Sequence, residues 1–261
     1  MRDAAVGFHC PECVAEARRT VRVPRTAFGG TLAGQYGKVT KALIGINAVV
    51  LVLAAATAKA NAANSLMGGR TPLHVWGGVF GLDQMSDGSL IGIATGEYWR
   101  LFTAMFLHFG LIHLLFNMWA LWILGQYLER ALGPARFLAL YLIAGLGGSV
   151  AAYVFQPNAL TAGASGAIFG LFAALFVVNR KLGQDNRSVI FLIVINLSMG
   201  LVIPGISLAG HVGGLVTGAL VALGFAYAPR AQRTPVQVAT AVMVLVLLTV
   251  IAVTRTDLLL A

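Results

Sequence analysis

Charge of either sign is scarce in this chain: 10% of its 261 residues are Asp, Glu, Lys or Arg, against about 25% in an ordinary soluble domain. That deficit excludes a water-soluble globule. The period of two that marks the strands of a transmembrane barrel is missing as well. No basic start, apolar core and small-residue cleavage site combine into a removable signal peptide, and there is no internal repeat. What fills the chain instead is apolar sequence, 58% of the residues with a mean hydropathy of +0.84. A helix crossing a hydrocarbon core of about 30 Å needs roughly 20 such residues. Seven runs qualify, at 41–60, 108–127, 137–155, 165–180, 188–204, 207–227 and 236–254. The expected fold is an all-α membrane protein.

The basic residues sort themselves by loop. All of the 18 Lys and Arg except Lys59, Arg70, Arg100 and Arg255 fall before the first run or in every second connection after it. The positive-inside rule then puts the N-terminus in the cytoplasm and, with an odd number of spans, the C-terminus outside. The net charge of +9 is therefore a topology signal. A surface for nucleic acid would not alternate with the loops, so no nucleic-acid partner is expected; the lipid bilayer is. Residues 1–37 read as a basic cytoplasmic tail. Both cysteines lie there, in "FHCPECVAEARR", and disulfides do not persist in that compartment. His9, Cys10 and Cys13 supply part of a zinc site, which wants four ligands. Either the pair is a chance one, or Met1 is not the natural start and the rest of a zinc ribbon lies upstream. The longest connection, 61–98, is glycine-rich yet carries Trp76, Phe80, Leu82, Leu90 and Ile91, as an amphipathic segment in the headgroup layer would.

Ionisable residues inside apolar runs are rare and functional by default. Outside the tail and the long loop the histidines are His108, His113 and His211. The second, fourth and sixth spans all enter from the outside on this topology, so His113, Asn117, Ser165 and His211 share one depth. The stretch "TAGASGAIFG" sets Ser165 among glycines; alone, such a serine is more often a helix-packing residue. Its company argues for a site. His113 and Asn117 in "HLLFN" are four apart and share a helical face, where two donors can point at a developing oxyanion. In "GHVGGLVTG", His211, Gly214 and Gly218 share a face. Those glycines let another helix approach, which bringing His211 within about 2.6–3.2 Å of Ser165 requires. Gly163 and Gly166 leave the backbone around the serine open to a substrate carbonyl.

A carboxylate to orient the histidine is lacking. Glu129 is the one acid inside a span, about 18 Å along its helix from Asn117. Asp83, Asp87 and Glu97 have no helix placing them. The pattern fits a Ser165–His211 dyad: His211 takes the serine proton and returns it to the leaving amine, while His113, Asn117 and backbone N–H groups near Ser165 hold the oxyanion. The G-x-S-x-G elbow of soluble hydrolases is excluded, because Ala167 stands at its last glycine and no strand precedes it.

Taken together, "YWR" before the second span, "HFGLIHLLFN" within it, "ERALG" at its end, "GASG" opening the fourth and "GHVGGLVTG" in the sixth resemble the rhomboid family of intramembrane serine proteases. The likeness covers about residues 40–227. It implies a rhomboid-like helical bundle of six core transmembrane helices, with a seventh C-terminal one as in the 6+1 type. It implies Ser165 as nucleophile, His211 as general base, and His113, Asn117 and Gly163 on the oxyanion side. Trp99 and Arg100 match the family's Trp-Arg loop motif, and Glu129 and Arg130 its acidic-basic pair. Transmembrane protein substrates, cleaved near the outer face of the cell membrane, are the implied partners, with no metal or cofactor in the core. Gly210 stands where alanine usually precedes the histidine, and Phe169 where a tyrosine often stacks on it. The "HCPEC" tail resembles zinc-ribbon extensions of some members. The expected organisation is a tail at 1–37, a catalytic core at 38–229 including the loop 61–98, and a seventh helix with a short outer tail at 230–261. A catalytically silent relative that binds membrane proteins for quality control is the alternative, though such relatives normally lack the Ser or His. A small transporter would show paired ionisable groups or broken helices near the midplane.

Overall fold

The computed structural model describes the chain except residues 1, 4–7, 21–24, 32–36, 86–87 and 204, and gives backbone alone at 2–3, 8–9 and 17–20. A bilayer core offers no water to unpaired N–H and C=O groups, and the apolar runs satisfy theirs internally as helices. In chain order the described elements are an antiparallel hairpin of β1 (Arg2–Asp3) and β2 (Phe8–His9), α1 (Pro11–Thr20), α2 (Lys38–Thr57), α3 (Ala62–Leu66) and α4 (Pro72–Gly77). There follow a second antiparallel hairpin of β3 (Asp83–Gln84) and β4 (Leu90–Ile91), α5 (Arg100–Thr103), α6 (Gly110–Leu132) and α7 (Pro134–Phe155). The last are α8 (Ser165–Lys181), α9 (Arg187–Val202), α10 (Leu208–Tyr227) and α11 (Arg233–Leu260). The chain is a multi-pass membrane protein.

Each of the seven apolar runs forms one helix, but they are not equal. α2, α6, α7, α10 and the stretch Arg230–Leu260 containing α11 are long and apolar enough to cross a membrane. α8 and α9 have 17 and 16 residues, about 25 Å at 1.5 Å per residue, which is less than a full hydrocarbon core. The cause for α8 lies at its start. Val79 N–H donates to the Thr161 carbonyl and Thr161 N–H to that of Val79, both at 2.8 Å, so the preceding backbone is held as a bridge and the helix begins only at Ser165.

α7 is the central element, the most buried of the five long apolar helices, and α11 is the least. Around it, glycines bring backbones into direct contact. A Cβ added at Gly148 in α7 would meet the Gly166 Cα of α8 at 3.0 Å, and one at Gly218 in α10 would meet the Gly170 carbonyl carbon of α8 at 2.7 Å. Close approach of this kind gives dispersion contact where lipid provides no hydrophobic drive.

The 61–98 connection folds rather than drifts, and Arg100 closes it. Its guanidinium, 2% exposed, donates to Glu97 Oε2 at 2.7 Å through Nε, to the Val75 carbonyl at 2.5 Å and to the Gly78 carbonyl at 3.3 Å, and lies over the Phe80 ring at 4.5 Å. Trp76 and Trp99 stay exposed and stack at 6.2 Å, as headgroup-level aromatics do. At the opposite end of α6, Glu129 accepts from Val39 N–H at 3.1 Å, Thr40 N–H at 2.9 Å and the Thr40 hydroxyl at 2.8 Å, capping α2 from a distance where Gly37 offers no side chain. Within the expected tail, Phe28 is buried in the core, and its carbonyl accepts from Gln237 of α11 at 3.1 Å.

Candidate active site

Ser165 is the first residue of α8. Gly163, two residues before it, has φ +139°, a conformation open to glycine and costly for other residues. A side chain there is excluded twice over, since its Cβ would lie 2.8 Å from His113 Cε1 and 3.0 Å from Nε2. The same point is 3.8 Å from Ser165 Oγ, so the structure brings His113, Gly163 and Ser165 together. The first N–H groups of a helix have no intrahelical acceptor, and Ala164 provides no side-chain cap. The hydroxyl therefore stands at the positive end of the α8 dipole, where those N–H groups are unpaired within the helix.

α10 carries His211 to the same place. Its start is fixed by Ser207, whose hydroxyl accepts from Gly210 N–H at 3.0 Å and donates to Gln156 Oε1 at 2.5 Å, while His211 N–H donates to the Ser207 carbonyl at 3.1 Å. One turn on, a Cβ at Gly214 would sit 2.6 Å from the carbonyl carbon of Gly166, the residue after Ser165. The His211 ring stacks on Phe169 of α8, with centroids 4.2 Å apart and planes at 23°. Its Nδ1 is buried with no partner among the described residues, and no hydrogen bond joins it to Ser165 among them. The stack, rather than a carboxylate, holds the imidazole.

His113 and Asn117 lie one turn apart near the start of α6. Phe109 N–H donates to His113 Nδ1 at 3.3 Å, so that nitrogen is the acceptor and Nε2 bears the proton. The Asn117 amide donates one hydrogen back to the His113 carbonyl at 2.8 Å, leaving its second free. His108 is fully buried, and its Nε2 lies 3.5 Å from the N–H of Ala164, the residue before Ser165. Trp99, Arg100, Glu129 and Arg130 are elsewhere: the first two brace the long connection, and the others stand at the far end of α6. Gly218 continues the α8–α10 contact one turn beyond Gly214.

Cys10 and Cys13 lie at the start of α1, far along the chain from this cluster. Cys13 N–H donates to Cys10 Sγ at 3.0 Å. The thiol of Cys13, then its N–H, holds the Cys10 thiol below its ordinary value. The His9 side chain lies outside the described residues, and among those described no group of three His, Cys, Asp or Glu is placed to hold a metal. Two thiols fill half of a tetrahedral zinc shell, so the described residues do not complete a zinc site.

Sequence reasoning passed over His74, a loop residue outside every apolar run. The structure buries it to 1% exposure beside the start of α6, with Nε2 3.0 Å from the His108 carbonyl and its ring stacked on Phe109 at 4.6 Å. A sequence signal existed in "TPLH": Thr71 caps α4 with proline at the first turn, but the partner three residues on is His74 where a capping box has Glu or Gln.

Comparisons with known proteins give the family. The Rhomboid domain model matches residues 95–228, which hold Ser165, His211, His113 and Asn117. The chain is 45% identical over 162 residues to the rhomboid protease GluP of Bacillus subtilis, covering 59% of this chain and 31% of that protein. It is 40% identical over 149 residues to YdcA of the same organism, covering 55% of this chain and 74% of that one. To the mitochondrial RHOMBOID-like protein 6 of Arabidopsis thaliana it is 41% identical over 129 residues, 47% of this chain and 42% of that one. With a domain match over more than half its length, the chain belongs to the rhomboid family.

Proposed function

We propose that the chain is an intramembrane serine endopeptidase that cleaves transmembrane segments of other membrane proteins by a Ser165–His211 dyad. One observation carries the reading: the backbones of Gly166 and Gly214 touch, and they follow Ser165 by one residue and His211 by one turn. Nothing bulky separates the two side chains' helices. In the proposed cycle Ser165 Oγ attacks the scissile carbonyl as His211 accepts its proton. The oxyanion takes hydrogen bonds from the α8 N-terminal N–H groups, from His113 Nε2–H and from the free amide hydrogen of Asn117. Collapse returns the proton from His211 to the departing amine and leaves an acyl-enzyme. Water then attacks the ester, His211 again taking and returning a proton. The starts of α6, α8 and α10 face the extracytoplasmic side, with the N-terminus in the cytoplasm by the distribution of Lys and Arg.

Purified protein in liposomes, offered a transmembrane substrate and a fluorophosphonate, tests this. Wild type is expected to cut and to be labelled at Ser165. Ser165→Ala and His211→Ala are expected to lose both while keeping their thermal midpoints. Cleavage that survives Ser165→Ala, or a wild type that neither cuts nor labels, refutes the proposal and favours a membrane-protein-binding role.

A further inference from the structure

We infer that His74 is a positioning residue for His113: it acts through a single peptide group, the one joining His108 to Phe109, and sets the direction of the hydrogen bond His113 offers to the oxyanion. This rests on the roles proposed above for Ser165 and His113.

The direction of each hydrogen bond follows from its neighbours. His74 Nδ1 receives the Thr71 N–H at 3.3 Å and lies 2.7 Å from the Thr71 hydroxyl, which accepts from His74 N–H at 3.3 Å and so turns its own proton to the ring. With Nδ1 an acceptor, the proton is on Nε2, and Nε2–H donates to the His108 carbonyl at 3.0 Å. That carbonyl also accepts Gly110 N–H at 2.9 Å, so it is clamped from two sides. The N–H of the same peptide group is that of Phe109, and it donates to His113 Nδ1 at 3.3 Å. His113 must then present Nε2–H, which with the neighbouring Cε1 borders the space over Gly163 and Ser165.

Every donor in this chain points the same way, from Thr71 through His74, one peptide and His113 to the serine. Polarisation along such a chain reinforces each bond in it. The rings repeat the order: His74 stacks on Phe109 with planes at 14°, and Phe109 on His113 with planes at 8°. A loop outside the helical core thereby fixes both the tautomer and the plane of a side chain inside it. The His211 imidazole has no such support on Nδ1, so the orienting partner in this site belongs to the oxyanion side and not to the base.

The test is a double-mutant cycle with His113, which a purely structural role would not couple. His74→Phe keeps the ring stack and removes the donor. It is expected to lower kcat roughly 10-fold, the low end of what losing the partner that orients a metal-bound histidine costs, with KM little changed. In a His113→Ala background the same substitution is expected to have almost no effect on kcat or on the rate of Ser165 phosphonylation. His74→Gln, whose amide N–H can reach the His108 carbonyl, is expected to recover most of the loss. Independent, multiplying losses, or a fully active His74→Phe, overturn the inference and leave the protease reading intact. Should His74→Phe fail to fold, Thr71→Val removes the hydroxyl that fixes the tautomer; a loss that vanishes in His113→Ala supports the inference, and unchanged kcat overturns it. A wild type without Ser165-dependent cleavage removes both readings together.

Discussion

Gly214→Ala is the sharpest perturbation of the α8–α10 contact. The added methyl would stand 2.6 Å from the Gly166 carbonyl carbon and 2.9 Å from its Cα, where carbon atoms settle at about 3.5–4.0 Å. Both obstacles are backbone, so no side chain can rotate away, and α10 must retreat from α8 by about 1 Å to restore that spacing. Ser165 and His211 ride on the two backbones being pushed apart. A displacement of about 1 Å between reacting groups costs on the order of 10²-fold in rate, and overpacking of a close-packed interior costs about 1–3 kcal/mol in stability. Gly45→Ala is the matched control. Nothing lies within 4 Å of a Cβ at Gly45 in α2, so the substitution adds helix propensity, up to about 1 kcal/mol, with no clash. Fluorophosphonate labelling rate and thermal midpoint, measured for both variants in one detergent, read the two terms separately. A Gly214→Ala protein that labels Ser165 at the wild-type rate would falsify the geometry on which the dyad stands; equal losses in Gly45→Ala would show that any added methyl is harmful.

Two further outcomes follow from buried polar groups. Glu129→Gln keeps the shape of the α2 cap but turns one acceptor into a donor facing an N–H; it is expected to lower stability by about 1–3 kcal/mol. The labelling rate per folded molecule should not change, since Glu129 is about 18 Å along α6 from Asn117; unfolding in a denaturing detergent titration at the wild-type midpoint would contradict this. Burial lowers the His74 pKa, partly offset by its bond to the His108 carbonyl, so the native state keeps it neutral with His108 and His113 as its ionisable neighbours. The unfolded chain takes up a proton below about pH 6.5, so stability is flat above that value and falls as pH drops through the window down to the lowered native pKa. His74→Gln should flatten that part of the thermal midpoint's pH profile, and an unchanged profile would remove His74 as its source.

The features legible in the sequence are those that break an apolar background. His113, Asn117 and His211 stand out because a charged or amide group at membrane depth is costly, and the glycine spacing around them announces close helix contact. The run boundaries also match the helices to within six residues, because hydropathy and backbone satisfaction follow the same lipid boundary. What was not legible depends on pairing between distant segments. Nothing local tells that Glu129 caps a helix some 90 residues earlier, or that His74 reaches the carbonyl of His108, 34 residues later. The docking of Phe28 under α11 was hidden likewise, behind a segment whose composition is that of a tail. Hydropathy also ranked the runs at 165–180 and 188–204 with the longer ones, although the helices they form have 17 and 16 residues.

The unequal helix lengths have a consequence for the surrounding lipid. α9 at 16 residues and α11 at 28 measure about 24 Å and 42 Å at 1.5 Å per residue, one below and one above a bilayer core of about 30 Å. Acyl chains must compress against the α9 flank, whereas α11 meets the excess by tilting or by standing clear of the surface. The surrounding bilayer is then expected to be unevenly thick, thinnest beside α9. On the function proposed above, a foreign helix drifting toward that flank would lose part of its own hydrophobic cover before any protein touched it, and mismatch alone would bias which segments remain there.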